Sequence, residues 1–305
     1  MRKRLFTLFV LLLAGCLPTG SLRRVYRSPD FLIPSRKILP ENALQLGTNI
    51  QPLENQPGEL LWLTGFSLTL KEKDSGRPAP QLLGFSSIDF RWPEWHRDKF
   101  TTTQDHRLFG AGQGNTSFRL PPGFGIPVAS NEGFILSSRV YNLDAYLPEQ
   151  TVYQEVTLDF VRERGLARSY RPILLRNVAA GIGQNTFWEV PPGGMILRNK
   201  ISPNLKLSGA ARLHGLTAHL ERHAVSAELY DATAKKSLLK LATRRGADGL
   251  LSSVESYSST RGIVLQPGHD YEAIIRYDNP TQSPIRGVCY LTFYFYDSAF
   301  KKPER

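Results

Sequence analysis

Cysteine is almost absent from this sequence, with two in 305 residues, Cys16 and Cys289. A small secreted fold stapled by disulfides is therefore excluded, and a folded body has to be held by an apolar core. Histidine is sparse, with six residues, and methionine sparser, with two. Both scarcities limit the imidazole and thioether donors that redox metals prefer. Long runs of like charge are missing as well. The formal net charge is +11, yet the basic residues are scattered, in pairs such as Arg23-Arg24, Lys235-Lys236 and Arg244-Arg245. Without a basic stripe or arm, nucleic acid is not an expected partner, and anionic lipid or polysaccharide suits this charge better. No long amphipathic helix can be traced, and no apolar run reaches the roughly 20 residues needed to span a bilayer.

The strongest positive signal lies in the first residues. Arg2, Lys3 and Arg4 precede an apolar run from Leu5 to Leu13, broken only by Thr7, and then Leu13-Ala14-Gly15-Cys16. The run is half the length of a spanning helix, so it reads as a signal rather than an anchor. Its end resembles the lipobox of bacterial lipoprotein precursors. That resemblance implies cleavage after residue 15 and a lipidated Cys16 as the first mature residue. Several acyl chains on Cys16 would hold the protein stably on a membrane surface. Leu17 follows, with no Asp to retain the protein at an inner membrane, so the expected place is the cell envelope, with the outer membrane favoured. Loss of the signal leaves 35 basic against 27 acidic residues, a net charge of +8.

The remaining chain suits two domains of ordinary size. Residues 16–46, punctuated by Pro18, Pro29, Pro34 and Pro40, read as a tether. Beyond them the pattern is of period two. Val152, Gln154, Val156, Leu158 and Phe160 fall on one face of a strand, with Glu155, Thr157 and Asp159 on the other. Val225 to Leu229 alternates too, and Tyr271–Tyr277 and Val288–Tyr296 have the aromatic and β-branched content that strands favour. The predicted class is mostly β, sandwich or jelly roll. An internal echo suggests a repeat: Phe118-Arg119-Leu120-Pro121-Pro122-Gly123 and Phe187-Trp188-Glu189-Val190-Pro191-Pro192-Gly193 both run into a Pro-Pro-Gly corner. If the two corners mark matching stages, two similar sandwiches follow in tandem, over 47–168 and 169–302. Cys289, in an apolar run, is expected to be a small buried hydrophobe.

Residues from about 47 to 300 also resemble the copper type II, ascorbate-dependent monooxygenases. The resemblance is carried by Arg107 to Gly112, Leu120 to Gly125, the strand Tyr153 to Phe160, Phe187 to Gly193, Leu213 to His223, Tyr277 to Pro280 and Val288 to Tyr296. It implies two tandem jelly rolls facing each other across a cleft. It also implies two copper sites, one of three histidines in the first half and one of two histidines and a methionine in the second. The sequence departs from that pattern. Phe85 and Ser86 stand where a histidine pair is expected, and only His96 and His106 are available in the first half. In the second half His219 matches, Glu221 replaces the second histidine, and Val288 stands at the methionine position.

Two readings of the second half follow. Read as one strand, residues 219, 221 and 223 share a face, so His219, Glu221 and His223, perhaps joined by His214, could hold one divalent ion, zinc or copper. The competing reading makes them polar residues facing solvent on a strand whose other face is core. The expected function is a binding or envelope role without two-copper redox chemistry, with the cleft between sandwiches as the contact region. The alternatives are a monooxygenase with altered ligands and a single-metal hydrolase at those residues.

Overall fold

The computed structural model describes residues 21–34, 44–50, 58–79, 83–91, 106–140, 148–182, 185 and 187–302. The signal and lipobox lie outside them, as does His96. The chain is mostly β, and α1 (Ser202–Leu205) is the one α-helix among the described residues.

The first half contains β1 (Ser21–Arg27), β2 (Phe31–Ile33), β3 (Leu44–Ile50), β4 (Leu60–Glu72), β5 (Leu83–Phe90), β6 (Arg107–Gly112), β7 (Ser117–Arg119), β8 (Phe124–Ala129), β9 (Phe134–Val140) and β10 (Gln150–Arg162). One sheet runs β1-β10-β4-β8 and the other β3-β9-β5-β6. Short strand β2 extends the β1 edge along β10. That is the strand order of an eight-stranded jelly roll, in which first, eighth, third and sixth strands face second, seventh, fourth and fifth. The second half repeats it with β11 (Arg171–Ala179), β12 (Phe187–Val190), β13 (Met195–Lys200), β14 (Ala211–Leu220), β15 (Ala224–Asp231), β16 (Lys236–Arg245), β17 (Leu251–Val254), β18 (Tyr257–Leu265), β19 (Tyr271–Tyr277) and β20 (Ile285–Tyr296). Its sheets run β11-β20-β14-β18 and β13-β19-β15-β16, the latter extended by β17. The expected pair of tandem jelly rolls is therefore present.

The Pro-Pro-Gly echo marks turns, though not equivalent ones. In each, the amide three residues on donates to the first proline carbonyl, Phe124 to Pro121 and Gly194 to Pro191 at 3.1 Å. Gly123 and Gly193 take φ of 79° and 84°, which proline before them and glycine's missing Cβ allow. One corner precedes the sixth strand of its roll and the other the second. The repeat is in the topology, and the corners do not stand at matching stages.

Residues 21–27 and 31–33 fall in the segment read as a tether, but they are strands. All seven residues of β1 pair with β10, and Leu22 and Tyr26 pack against the first core. Arg23, Arg24, Arg27, Pro29 and Pro34 hid the strand by breaking its alternation, as edge strands commonly do.

Alternation in β10 puts Val156, Leu158 and Phe160 in the first core, with Leu63, Phe109, Phe124 and Phe134. Gln154 shares that face and is fully buried, so its amide must be satisfied there. It is: Gln154 Nε2 donates to Ser86 at 3.0 Å, and Ser138 donates to Gln154 Oε1 at 2.6 Å. A second core of Leu213, Leu216, Ala227, Ile275, Leu291 and Phe293 fills the other roll, and Cys289 is buried there with its thiol pKa pushed up by burial.

The two rolls share one continuous sheet, because β8 pairs with β11 in parallel at Phe124 and Gly125. Among the described residues the two rolls touch directly face to face. Tyr294 of β20 joins the first core, stacks on Phe118 at 4.7 Å, and donates to the Leu108 carbonyl at 3.1 Å. Asn177 donates to the Arg107 carbonyl at 2.9 Å and Asn115 to that of Ala218 at 3.1 Å.

Candidate functional site

The four residues named from sequence do not form one site. Strand β14 stops at Leu220, and residues 221–223 turn the chain into β15. His223 sits in that turn with φ of 68°, a left-handed conformation, and its ring covers Gly249. The strand periodicity that placed it beside His219 does not reach it. His214 is itself the unpaired residue of a bulge between Leu213 and Gly215, so its ring goes elsewhere. It packs on Phe124 at 4.1 Å, and its Nδ1 is 2.8 Å from the Ser259 carbonyl. Nor are the histidines solvent-facing: His214, His219 and His223 are all buried. No group of three potential metal donors occurs among the described residues.

His219 and Glu221 remain neighbours, with Nε2 and Oε1 4.0 Å apart. Around them stand arginines rather than further donors. The imidazole pKa is pushed down to about 3, first by burial and then by Arg107, Arg286 and Arg139. Burial raises the Glu221 carboxyl, and Arg286 and Arg139 oppose it. Arg286 is 3.7 Å from Glu221. Three guanidinium groups that hold a proton off an imidazole also oppose a divalent cation.

The residues standing where the resemblance expects ligands are otherwise occupied. Phe85 packs against the His219 ring at 4.6 Å, and Ser86 belongs to the closed Gln154–Ser138 group. The backbone of Val288 exchanges hydrogen bonds with the Tyr277 hydroxyl, at 2.9 Å and 2.8 Å. His106, partly buried, precedes β6. Among the described residues no three donors gather as a copper site of that pattern would need. Sequence spacing identified the right strand for His219 but could not show that its neighbours across the rolls are Phe85, Gly112 and Arg107.

An open, charged concavity lies elsewhere along the junction. Register places four residues in one row across four strands: Arg23 on β1 opposite Asp159 on β10, Asp159 opposite Gly65 on β4, and Gly65 opposite Arg119 on β7. Arg23 Nε donates to Asp159 Oδ1 at 2.8 Å. Arg119 reaches Asp159 from two strands away, about 10 Å at sheet spacing, and can do so because Gly65 has no side chain in between. A Cβ on Gly65 would stand 3.1 Å from the Phe118 carbonyl oxygen, closer than most such contacts. A β-bulge follows Asp159, and Thr64 donates to the Asp159 carbonyl at 3.1 Å. Bulges of this kind re-aim side chains, and this one sits beside the charged row.

The row separates two hollows, both lined by Arg23, Arg119 and Asp159. One, of about 550 Å3, has a polar wall of Ser67, Ser117 and Thr157, with Ser256 contributed by the second roll. The other, of about 300 Å3, has an apolar wall that includes Leu22, Pro121, Pro122, Phe160 and Tyr170. Arg23 and Arg119 are more than half exposed, so their charge meets water and solutes. Sequence reading missed this row. Alternation places Asp159 on the outer face of its strand, but Arg23 falls in the segment read as a tether, and Arg119 enters only in the run into the first Pro-Pro-Gly corner. Only the strand register joins residues 136 and 40 positions apart.

No family model and no curated protein matches the sequence. Among solved structures, the STIV MCP is similar at 8% identity over 91% of this chain and 98% of its own, with a TM-score of 0.35. PNGF-II is similar at 11% identity over 90% of this chain and 65% of its own, with a TM-score of 0.33. A decameric BFDV capsid protein is similar at 16% identity over 47% of this chain and 98% of its own, with a TM-score of 0.23. At those scores none of them carries an argument about function, and the jelly-roll assignment rests on strand order alone.

Proposed function

We propose that this protein is a lipid-anchored binding protein of the cell envelope, and that its ligand presents an anionic group to Arg23 and Arg119. The observation that carries the reading is the row itself: two exposed guanidinium groups share one carboxylate, leaving excess positive charge between two hollows. Guanidinium forks suit carboxylate and phosphate oxygens, and the hydroxyls of Ser67, Ser117, Thr157 and Ser256 suit polar groups around them. The anchor at Cys16 enters from the sequence. Redox or hydrolytic chemistry at His219 and Glu221 gains no support, because the groups around that pair are cations.

The test compares binding of carboxymethyl-dextran and plain dextran to the mature protein. The charged polymer is expected to bind and the neutral one not, with binding weakened by salt. Replacing both Arg23 and Arg119 with Gln is expected to lower affinity about tenfold or more, as loss of two charge-assisted contacts would. Equal binding of both polymers, or an indifferent double variant, overturns the assignment. Elemental analysis tests the other half of the reading. Stoichiometric copper or zinc that disappears in His219→Ala, with ascorbate-dependent turnover, would restore the enzymatic alternative.

A further inference from the structure

The binding site is built on the first strand of the body, and that strand begins very close to the anchor. Four residues, 17–20, separate Cys16 from Ser21. Fully extended, the five steps from Cys16 to Ser21 span at most about 18 Å. Ser21, Leu22 and Arg23 all line the apolar hollow, and Arg23 lines the polar one too. An acylated Cys16 therefore holds the mouth of the site within a headgroup layer's reach of the membrane surface. The edge of the sheet among the described residues there carries exposed Arg23, Arg24 and Arg27, and exposed apolar Val25 and Leu32. Basic residues near an anionic surface add to its attraction.

The two hollows differ in the way the two ends of an amphiphile differ. Beyond the arginines one hollow is lined mainly by hydroxyls, with Phe66 and Phe118 behind them, and the other mainly by leucine, proline, phenylalanine, valine and tyrosine side chains, with Ser21 and Thr64. A free acidic polysaccharide would use the first wall and leave the second bare. We infer that the ligand is an anionic lipid of the leaflet that holds the anchor, its charged headgroup at Arg23 and Arg119 and the start of its hydrocarbon against Leu22, Pro121, Pro122 and Tyr170. This rests on the lipoprotein and binding readings and goes beyond them by naming the ligand class and its source.

The experiment uses the mature lipoprotein in phosphatidylcholine vesicles doped with a lipid carrying a diazirine near the start of one acyl chain. The photoreactive lipid is phosphatidylglycerol in one arm and phosphatidylcholine in the other, and cross-linked peptides are located by mass spectrometry. Labelling of the 120–124 and 170 peptides is expected from phosphatidylglycerol, about fivefold above phosphatidylcholine and reduced to that level by Arg119→Gln, a loss on the scale of one interfacial arginine. Arg198→Gln, on the second roll away from these hollows, should leave the labelling unchanged. Labelling that ignores the headgroup, or that misses these peptides, overturns the lipid inference. If carboxymethyl-dextran still binds through Arg23 and Arg119 in that case, the binding reading survives. If neither probe engages the arginines, both fall. Absence of acyl groups on Cys16 in the intact mass would show that the anchor reading is the one at fault.

Discussion

Charge gathers in two places where the jelly rolls meet. At the buried face, Arg107, Arg139 and Arg286 surround His219 and Glu221, and Phe85 packs on the imidazole. At the open row, Arg23 and Arg119 share Asp159 between two hollows. The residue types are similar, and the difference lies in access to water. In the buried region desolvation holds an imidazole neutral, so its ionisation is tied to folding. In the open row the charges are solvated and available to a ligand, so they bear little on stability. Chemically promising residue types near His219 are thus buried, while Arg23, in the segment that read as a tether, and Arg119, beside a Pro-Pro-Gly corner, form the proposed site.

The largest expected effect is at the contact between the rolls. Phe109 is fully buried, stacks on Phe66 at 4.3 Å and lies 5.9 Å from Tyr294 of the other roll. Phe109→Ala should lower unfolding free energy by about 3–5 kcal/mol in a urea titration. A loss below about 1 kcal/mol would mean that the aromatic seam does not hold the rolls together.

Next in size is an acid sensitivity seated at His219. Its pKa of about 3 lies below the ordinary 6.5. Between those values the unfolded chain binds the proton and the folded chain does not. The stabilisation is therefore complete above pH 6.5 and is lost progressively as pH falls toward 3, by about 2 kcal/mol at pH 5. Glu221, raised by burial, works the other way, since protonation there favours the fold as pH falls. His219→Leu should flatten the loss of stability between pH 6.5 and 5, and Glu221→Gln should steepen it. An unchanged slope in His219→Leu would show that the imidazole is hydrated after all, and the contrast with the open row would disappear.

A smaller effect is expected at the Tyr294 hydroxyl, which bonds the Leu108 carbonyl across the rolls. Tyr294→Phe keeps the ring packing and loses that bond, for about 1 kcal/mol by the same titration.

The sequence made the β class legible, because alternation in segments such as Thr151–Val161 is local information; the echo that suggested two rolls marks turns at unmatched stages, so the repeat shows only in the strand order. It also identified Gln154 as core-facing, and that residue is buried within its polar group. What it could not provide was register. Arg23, Asp159, Gly65 and Arg119 become neighbours only when β1, β10, β4 and β7 are laid side by side. The edge strand β1 was obscured by the arginines and flanking prolines that protect it from pairing further. The His219–His223 grouping failed for a local reason of the opposite kind. Period-two counting was carried three residues past the end of β14, into a turn where it has no meaning.

The smallest stability effect belongs to the open row, and its smallness is the informative part. Arg119 is 59% exposed, and its partner Asp159 keeps Arg23 when Arg119 is removed. Exposed pairs of this sort contribute between about 0 and 1 kcal/mol. Arg119→Gln should therefore leave the urea midpoint nearly unchanged while weakening capture of the anionic polymer. A stability loss of about 2 kcal/mol or more would put Arg119 in the same class as the buried arginines around His219. The row would then be a structural clamp across Gly65, and loss of binding in the variant would no longer locate the ligand. A silent stability profile with a clear binding defect separates the two regions by the one property in which they differ, the solvation of their charge.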